Sequence, residues 1–214
     1  MNNASWIEPP PQRGMGCFGK GCLILAAFFI LLGLAFIGGT WVAIRYLRTE
    51  YFPTAQVQLP KSAATEDEQE AVRARWNAFE RAARAHKTAR IELTADELNG
   101  LIASEPKLRG NAFVTIDKNV ARLRVSVPIG NVRWLRGHYL NAECAVQSAP
   151  DGNPDEAQVM SIVVNGRLLG EEVVSWQYGP WSVRRYISDW SIEKNLQTFQ
   201  IADDKVILET KGTE

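Results

Sequence analysis

The sequence predicts an α+β protein, with a single N-terminal transmembrane helix followed by a domain in which an antiparallel, meander-like sheet packs on two or three helices. Three observations carry that expectation. Residues 21–44 are an uncharged run of 24; Val72, Trp76, Phe79 and Ala83 recur at helical spacing; and from Ala112 to Leu168 the apolar period drops to two, with turn residues but no helical segment between the runs. The boundaries read as a tail over 1–20, the span over 21–44, a linker over 45–65 and the α+β domain over 66–214.

Composition sets limits on function. The chain of 214 residues balances 24 basic against 24 acidic side chains, with a pI near 6.8, so it lacks the basic surplus of a nucleic-acid binder. Three Cys, two His and no internal period exclude a disulfide scaffold, a Cys/His zinc cluster and a solenoid. No cofactor is expected.

The run from Gly21 to Ile44 would span roughly 36 Å as a helix, enough to cross a hydrocarbon core of about 30 Å with some tilt. A cleaved signal peptide would have an apolar region of only about 7–15 residues and a small-residue cleavage site, so an uncleaved anchor is expected. Trp41 and Tyr46 suit the interface belt. Arg13 and Lys20 on one side balance Arg45 and Arg48 on the other, leaving the positive-inside count tied. The bulk of the chain follows the anchor, which points to the N-terminus inside and the C-terminal domain outside. Ala35, Gly39 and Ala43 lie on one helix face in the small-xxx-small spacing that lets two helices approach, a route to a homodimer through the anchor.

Gly14 to Gly21 satisfies G-x-G-x-x-G, yet Pro9, Pro10 and Pro11 precede it and the apolar run follows. A phosphate loop needs a buried strand before it and a Ser or Thr after its Lys; position 21 is Gly, so the stretch reads as a juxtamembrane tail.

Pro53 and Pro60 lie in an aperiodic stretch that reads as a spacer. The helix expected from Glu66 to Lys87 has Glu66, Asp67 and Glu68 at its start and Arg84, His86 and Lys87 at its end, which complements the helix dipole. Ala89 to Leu93 reads as a strand, and Thr94 with Glu97 as a capping box on a helix that Pro106 closes. A hairpin follows around Asp117, Lys118 and Asn119, then a strand through Leu140 and Val146, and a strand from Val159 to Leu168. A helix is expected from Pro180 to Lys194, and a last hairpin turns at Asp203 and Asp204. Trp176 and Trp181 belong to an aromatic segment that serves either as core or as a membrane-interface patch.

The order of parts, with Leu93-Thr94-Ala95-Asp96-Glu97-Leu98-Asn99-Gly100-Leu101-Ile102, Val127-Pro128, Gly137-x-Tyr139-Leu140 and Leu169-Gly170, resembles the YpmS-like membrane-anchored proteins. More distantly it is similar to exported lipid-binding domains whose curved sheet wraps a helix. The resemblance covers about residues 88–210 and implies an extracytoplasmic module that binds a lipid or another amphiphile. The Glu66–Lys87 helix and the aromatic C-terminal segment depart from that pattern.

No catalytic constellation is expected. His138 and Cys144 are six residues apart along one strand, about 20 Å, beyond hydrogen-bond reach. Two non-enzymatic readings remain. In one, Leu123, Val125, Leu140, Val146, Ile162 and Val164 line an apolar cavity for a bound lipid or amphiphile near the bilayer. In the other they form a filled core, and the domain is an interaction or scaffolding module for an envelope protein partner.

Overall fold

A computed structural model of the chain describes residues 17–178 and 181–212. Gly14, Met15, Gly16 and Pro180 therefore lie outside the described residues, as do the side chains of Cys17, Cys22 and Trp181. The chain divides after Leu47 into two compact units. Helix α1 (Cys17–Tyr51) makes up the described part of the first and continues past that division; it contains the one described stretch, Leu31–Tyr51, that is long and apolar enough to cross a membrane. The helix outlasts the expected span because no Gly or Pro interrupts 40–52, and it ends two residues before Pro53.

In the second unit, α2 (Glu66–Arg84) begins with a capping box, Thr65 with Glu68, that mirrors the Thr94–Glu97 box of α3 (Ala95–Ser104). Val72, Phe79 and Ala83 are buried, with Trp76 partly so, as the stripe predicts. The helix ends in a Schellman motif: Lys87 N–H bonds Ala82 O at 2.9 Å, His86 N–H bonds Ala83 O at 3.1 Å, and His86 is left-handed at φ 51°. His86 therefore sits beyond the helix rather than on its charged side.

The strands divide between two main sheets instead of forming one. Strands β2 (Ala112–Asp117), β3 (Val120–Pro128), β4 (Tyr139–Gln147), β5 (Gln158–Val164) and β6 (Arg167–Leu168) make the antiparallel meander. Strand β1 (Arg90–Thr94) pairs with β10 (Lys205–Thr210), which pairs with β9 (Leu196–Ala202), so the domain's first strand is held by its last hairpin. The core lies where α2 covers that three-stranded sheet, around Phe79, Leu93, Phe199 and Ile201, with Ile116, Ala121 and Val146 reaching it from the meander.

Two expected elements are corrected. The strand from Val159 to Leu168 folds back at Asn165-Gly166, whose φ values of 50° and 77° suit a two-residue hairpin turn. The helix expected from Pro180 is only α5 (Tyr186–Glu193). Its first part is held extended, because the Arg184 carbonyl accepts from Val159 N–H at 3.1 Å and Trp181–Ser182 (β8) pairs with Gln177–Tyr178 (β7). A further short helix, α4 (Glu171–Val174), precedes this pair.

The stretch before α2 is not free chain. Ala55 O accepts from Asn141 Nδ2 at 3.1 Å, Val57 N–H donates to Ser126 Oγ at 3.0 Å, and Ser126 Oγ donates to Asn141 Oδ1 at 2.6 Å. Residues 52–57 thus form a strap across β4 and β3, and its hydrogen bonds explain why the polar pair Ser126 and Asn141 is buried.

Candidate functional site

The LTxxELN stretch resolves into structural work. Thr94 and Glu97 cap α3, while Asn99, buried, reaches the exposed edge of the meander: its Nδ2 donates to Val114 O and its Oδ1 accepts from Val114 N–H, both at 2.8 Å. An amide side chain thus takes the place of a neighbouring strand. Burial is the largest single influence on the Glu97 carboxyl and raises its pKa. The Thr94 backbone N–H, the Arg75 guanidinium and the Thr94 hydroxyl outweigh it and hold the group below the usual carboxylate range.

The register places Leu123, Val125, Leu140, Val146, Ile162 and Val164 on one face of the meander: Leu123 opposes Cys144, which opposes Ile162, and Val125 opposes Ala142, which opposes Val164. Their surroundings differ. Val146 packs against the core and Val164 is buried, whereas Leu123 is 39% exposed and the others are half-buried. Cys144 lies among them, and burial pushes its thiol pKa up, away from thiolate chemistry.

The hollow richest in aromatic rings lies elsewhere, between the C-terminal ends of α2 and α5. It encloses about 270 Å³; Trp76, Phe79, Ala83 and Trp190 supply its apolar wall, and Glu80, Arg84, Glu193 and Lys194 its rim. Trp76 and Phe79 stack at 5.9 Å between centroids, tilted by 34°. Both helices end in left-handed caps that meet at this mouth, where Asn195 Nδ2 lies 3.4 Å from His86 Nδ1. Arg84 and Lys194 sit where the two helix C-termini concentrate partial negative charge. Each is also paired, Arg84 with Glu80 at 3.0 Å and Lys194 with Glu193 at 3.3 Å. The stripe of α2 was readable in the sequence. That Trp190 closes the hollow was not, since it depends on where α5 docks.

Of three larger hollows, one of about 590 Å³ lies between α2 and β1, and two of about 480 and 410 Å³ flank the contact of α2 with α3; Lys61, Glu66 and Arg109 stand on the 480 Å³ hollow and Glu68, Arg75 and Asp96 on the 410 Å³ one. Phe113 is the one ring between these last two. Among the described residues, no three His, Cys, Asp or Glu side chains converge in a way that could hold a metal ion. The Trp41 and Tyr46 side chains are exposed on α1, with the Arg45 guanidinium 5.4 Å from the Trp41 ring centroid. Ala35, Gly39 and Ala43 are exposed on the same helix, and Trp176 is exposed after α4.

His138 is buried just before β4. Its Nε2 accepts from Arg48 Nε at 2.7 Å, which leaves Nδ1 as the donor to Phe52 O at 2.6 Å. It clips the strap to the sheet.

No protein-family model matches the chain, and neither a curated protein nor a solved structure matches it.

Proposed function

We propose that the chain is a single-pass membrane protein, N-terminus inside, whose extracytoplasmic domain is a non-catalytic module that takes the apolar end of a lipid or another amphiphile into the groove between α2 and α5. The observation that supports this reading is the convergence of Trp76, Phe79 and Trp190 on one hollow whose rim carries charges of both signs. An aromatic wall with a few polar groups at the mouth is the usual chemistry of an amphiphile site. The groove takes the place of the meander face as the site, because Leu123 and its neighbours form a half-covered strip while the rings enclose a volume.

The size of the hollow favours a second reading. At about 270 Å³ it falls short of the roughly 300–1,000 Å³ of common ligand pockets, and it matches one side chain of an envelope protein partner as well as one end of a lipid tail. A tail-diazirine lysophosphatidylcholine distinguishes the two. The full chain in vesicles is irradiated with this probe, digested and mapped by mass spectrometry. Label on 76–86 and 190–195, lost in Ala83→Phe, is the expected result. Label confined to α1 overturns the amphiphile reading in favour of the partner.

A further inference from the structure

One surface of the domain is tied by hydrogen bonds to the stretch that immediately follows α1's uncharged run. Arg48 and Phe52 hold His138, Pro53 O accepts from Tyr139 N–H at 2.8 Å, Glu50 O accepts from Asn165 Nδ2 at 2.8 Å, and Glu50 pairs with Arg167. These contacts reach two elements, the loop before β4 and the β5–β6 hairpin. The uncharged run ends at Ile44, and Arg48 is four residue steps further on. Four residues span at most about 14 Å extended, or about 6 Å as helix. If the run crosses a bilayer, this short tether keeps the loop and hairpin within reach of the headgroup layer.

What they display there is specific. The loop from Ile129 to Gly137 contains no acidic residue. It is closed by Ile129 N–H to His138 O and by Leu135 N–H to Val132 O, each at 2.9 Å, and pinned by the buried Leu135. Around that pin Trp134 is 44% exposed and Val132 is exposed; on the β5–β6 hairpin, Leu168 is 70% exposed. Arg133 and Arg136 are exposed, and neither has an ion-pair or hydrogen-bond partner among the described residues. Large apolar side chains beside unpaired arginines are an awkward water-facing surface. They match an interface, where an indole lies at headgroup depth and guanidinium groups meet lipid phosphates.

We propose that this loop, together with Leu168 of the hairpin tied to the same stretch, is a second membrane contact: Val132, Trp134 and Leu168 enter the interface while Arg133 and Arg136 bind the phosphates of anionic lipids. The contact rests on the anchored reading above. It also fixes how the domain faces the bilayer, because a tether alone leaves orientation free and a second contact does not.

The test uses the full chain with its three cysteines replaced by alanine and one reporter cysteine at a time carrying a nitrobenzoxadiazole label. Reporters are Asn131→Cys in the loop, Ala43→Cys in the anchor and Asn119→Cys at the opposite end of β3. The protein is placed in phosphatidylcholine vesicles with and without phosphatidylglycerol, and shallow spin-labelled lipid is the quencher. The expected result is that Asn131→Cys is quenched several-fold more than Asn119→Cys, that phosphatidylglycerol strengthens this, and that adding R133E and R136E removes the gain. Quenching at Asn131→Cys no stronger than at Asn119→Cys, with Ala43→Cys quenched, overturns the second contact and leaves the anchor standing. An unquenched Ala43→Cys overturns the anchored reading and the contact with it.

Discussion

The two faces of the five-stranded meander invert the usual expectation. On one face Leu123, an apolar residue, is 39% exposed; on the other Ser126 is fully buried and Asn141 nearly so. Side-chain polarity does not decide the difference. The strap does, since residues 52–57 cross only one face and present backbone groups that an apolar surface could not satisfy. Ser126 and Asn141 are the polar floor that this backbone needs. A meander face is thus buried by the chain that crosses it, and its composition follows the needs of that chain.

The strongest way to break this comparison is Asn141→Leu, which makes the two faces alike. It removes the partner of Ala55 O and of the Ser126 hydroxyl, and a loss of about 3 kcal/mol is expected. Denaturant unfolding of the full chain in detergent, with amide exchange at Val57, reads both the loss and its location. Ser126→Ala, which strands Val57 N–H and Asn141 Oδ1, should cost about 2 kcal/mol. Ser188 is a matched control: equally buried, but its hydroxyl has no hydrogen-bond partner among the described residues, so Ser188→Ala should be neutral or stabilising by about 1 kcal/mol. If both serines cost the same, burial rather than bonding governs the strapped face.

Acid provides the next largest effect, at the sheet's edge and away from both faces. Glu97 has a lowered pKa in the folded chain, so its stabilising contribution is complete above the ordinary Glu value near 4.3 and is lost as pH falls through the lowered one. The loss should be on the order of 1 kcal/mol, the worth of a helix cap. Exchange should rise first in α3, and Glu97→Gln should flatten that pH dependence. The smallest effect belongs to the uncovered part of the Leu123 face, away from Val146 and Val164: Leu123→Ser should shift unfolding by less than about 0.5 kcal/mol, as for other solvent-facing positions. A large loss there would mean that the face is covered.

Sequence patterns revealed what neighbours in the chain determine. Thr94 and Glu97 announce a helix start three residues apart, the stripe of α2 needs only its own period, and Lys118-Asn119 closes a hairpin between adjacent strands. What escaped depends on distant chain. No local signal pairs Leu93 with Val206, lays residues 52–57 over Asn141, or brings Trp190 against Phe79. The α5 start is of the same kind, since a hydrogen bond to Val159 overrides a helical pattern in 181–184. The Asn165-Gly166 turn was legible in principle, because that dipeptide between apolar runs is itself a hairpin signal. The sequence period groups six residues on one sheet face, where the register also puts them, while the hollow lined by Trp76, Phe79 and Trp190 lies between two helices and has no local signal.

The pairing of β1 with β10 has a consequence for the order in which the chain is made. Leu93 is fully buried only when the last hairpin arrives, more than a hundred residues after β1 has been synthesised. Until then β1 is a strand with one uncovered apolar face, Ile91 and Leu93, and an open edge, the kind of segment that chaperones hold and that aggregates when unattended. A prematurely terminated product lacking 196–210 would keep its meander strands and lose the sheet that α2 covers, so ribosome stalling before residue 196 would yield a chain fit for degradation rather than a shortened working domain.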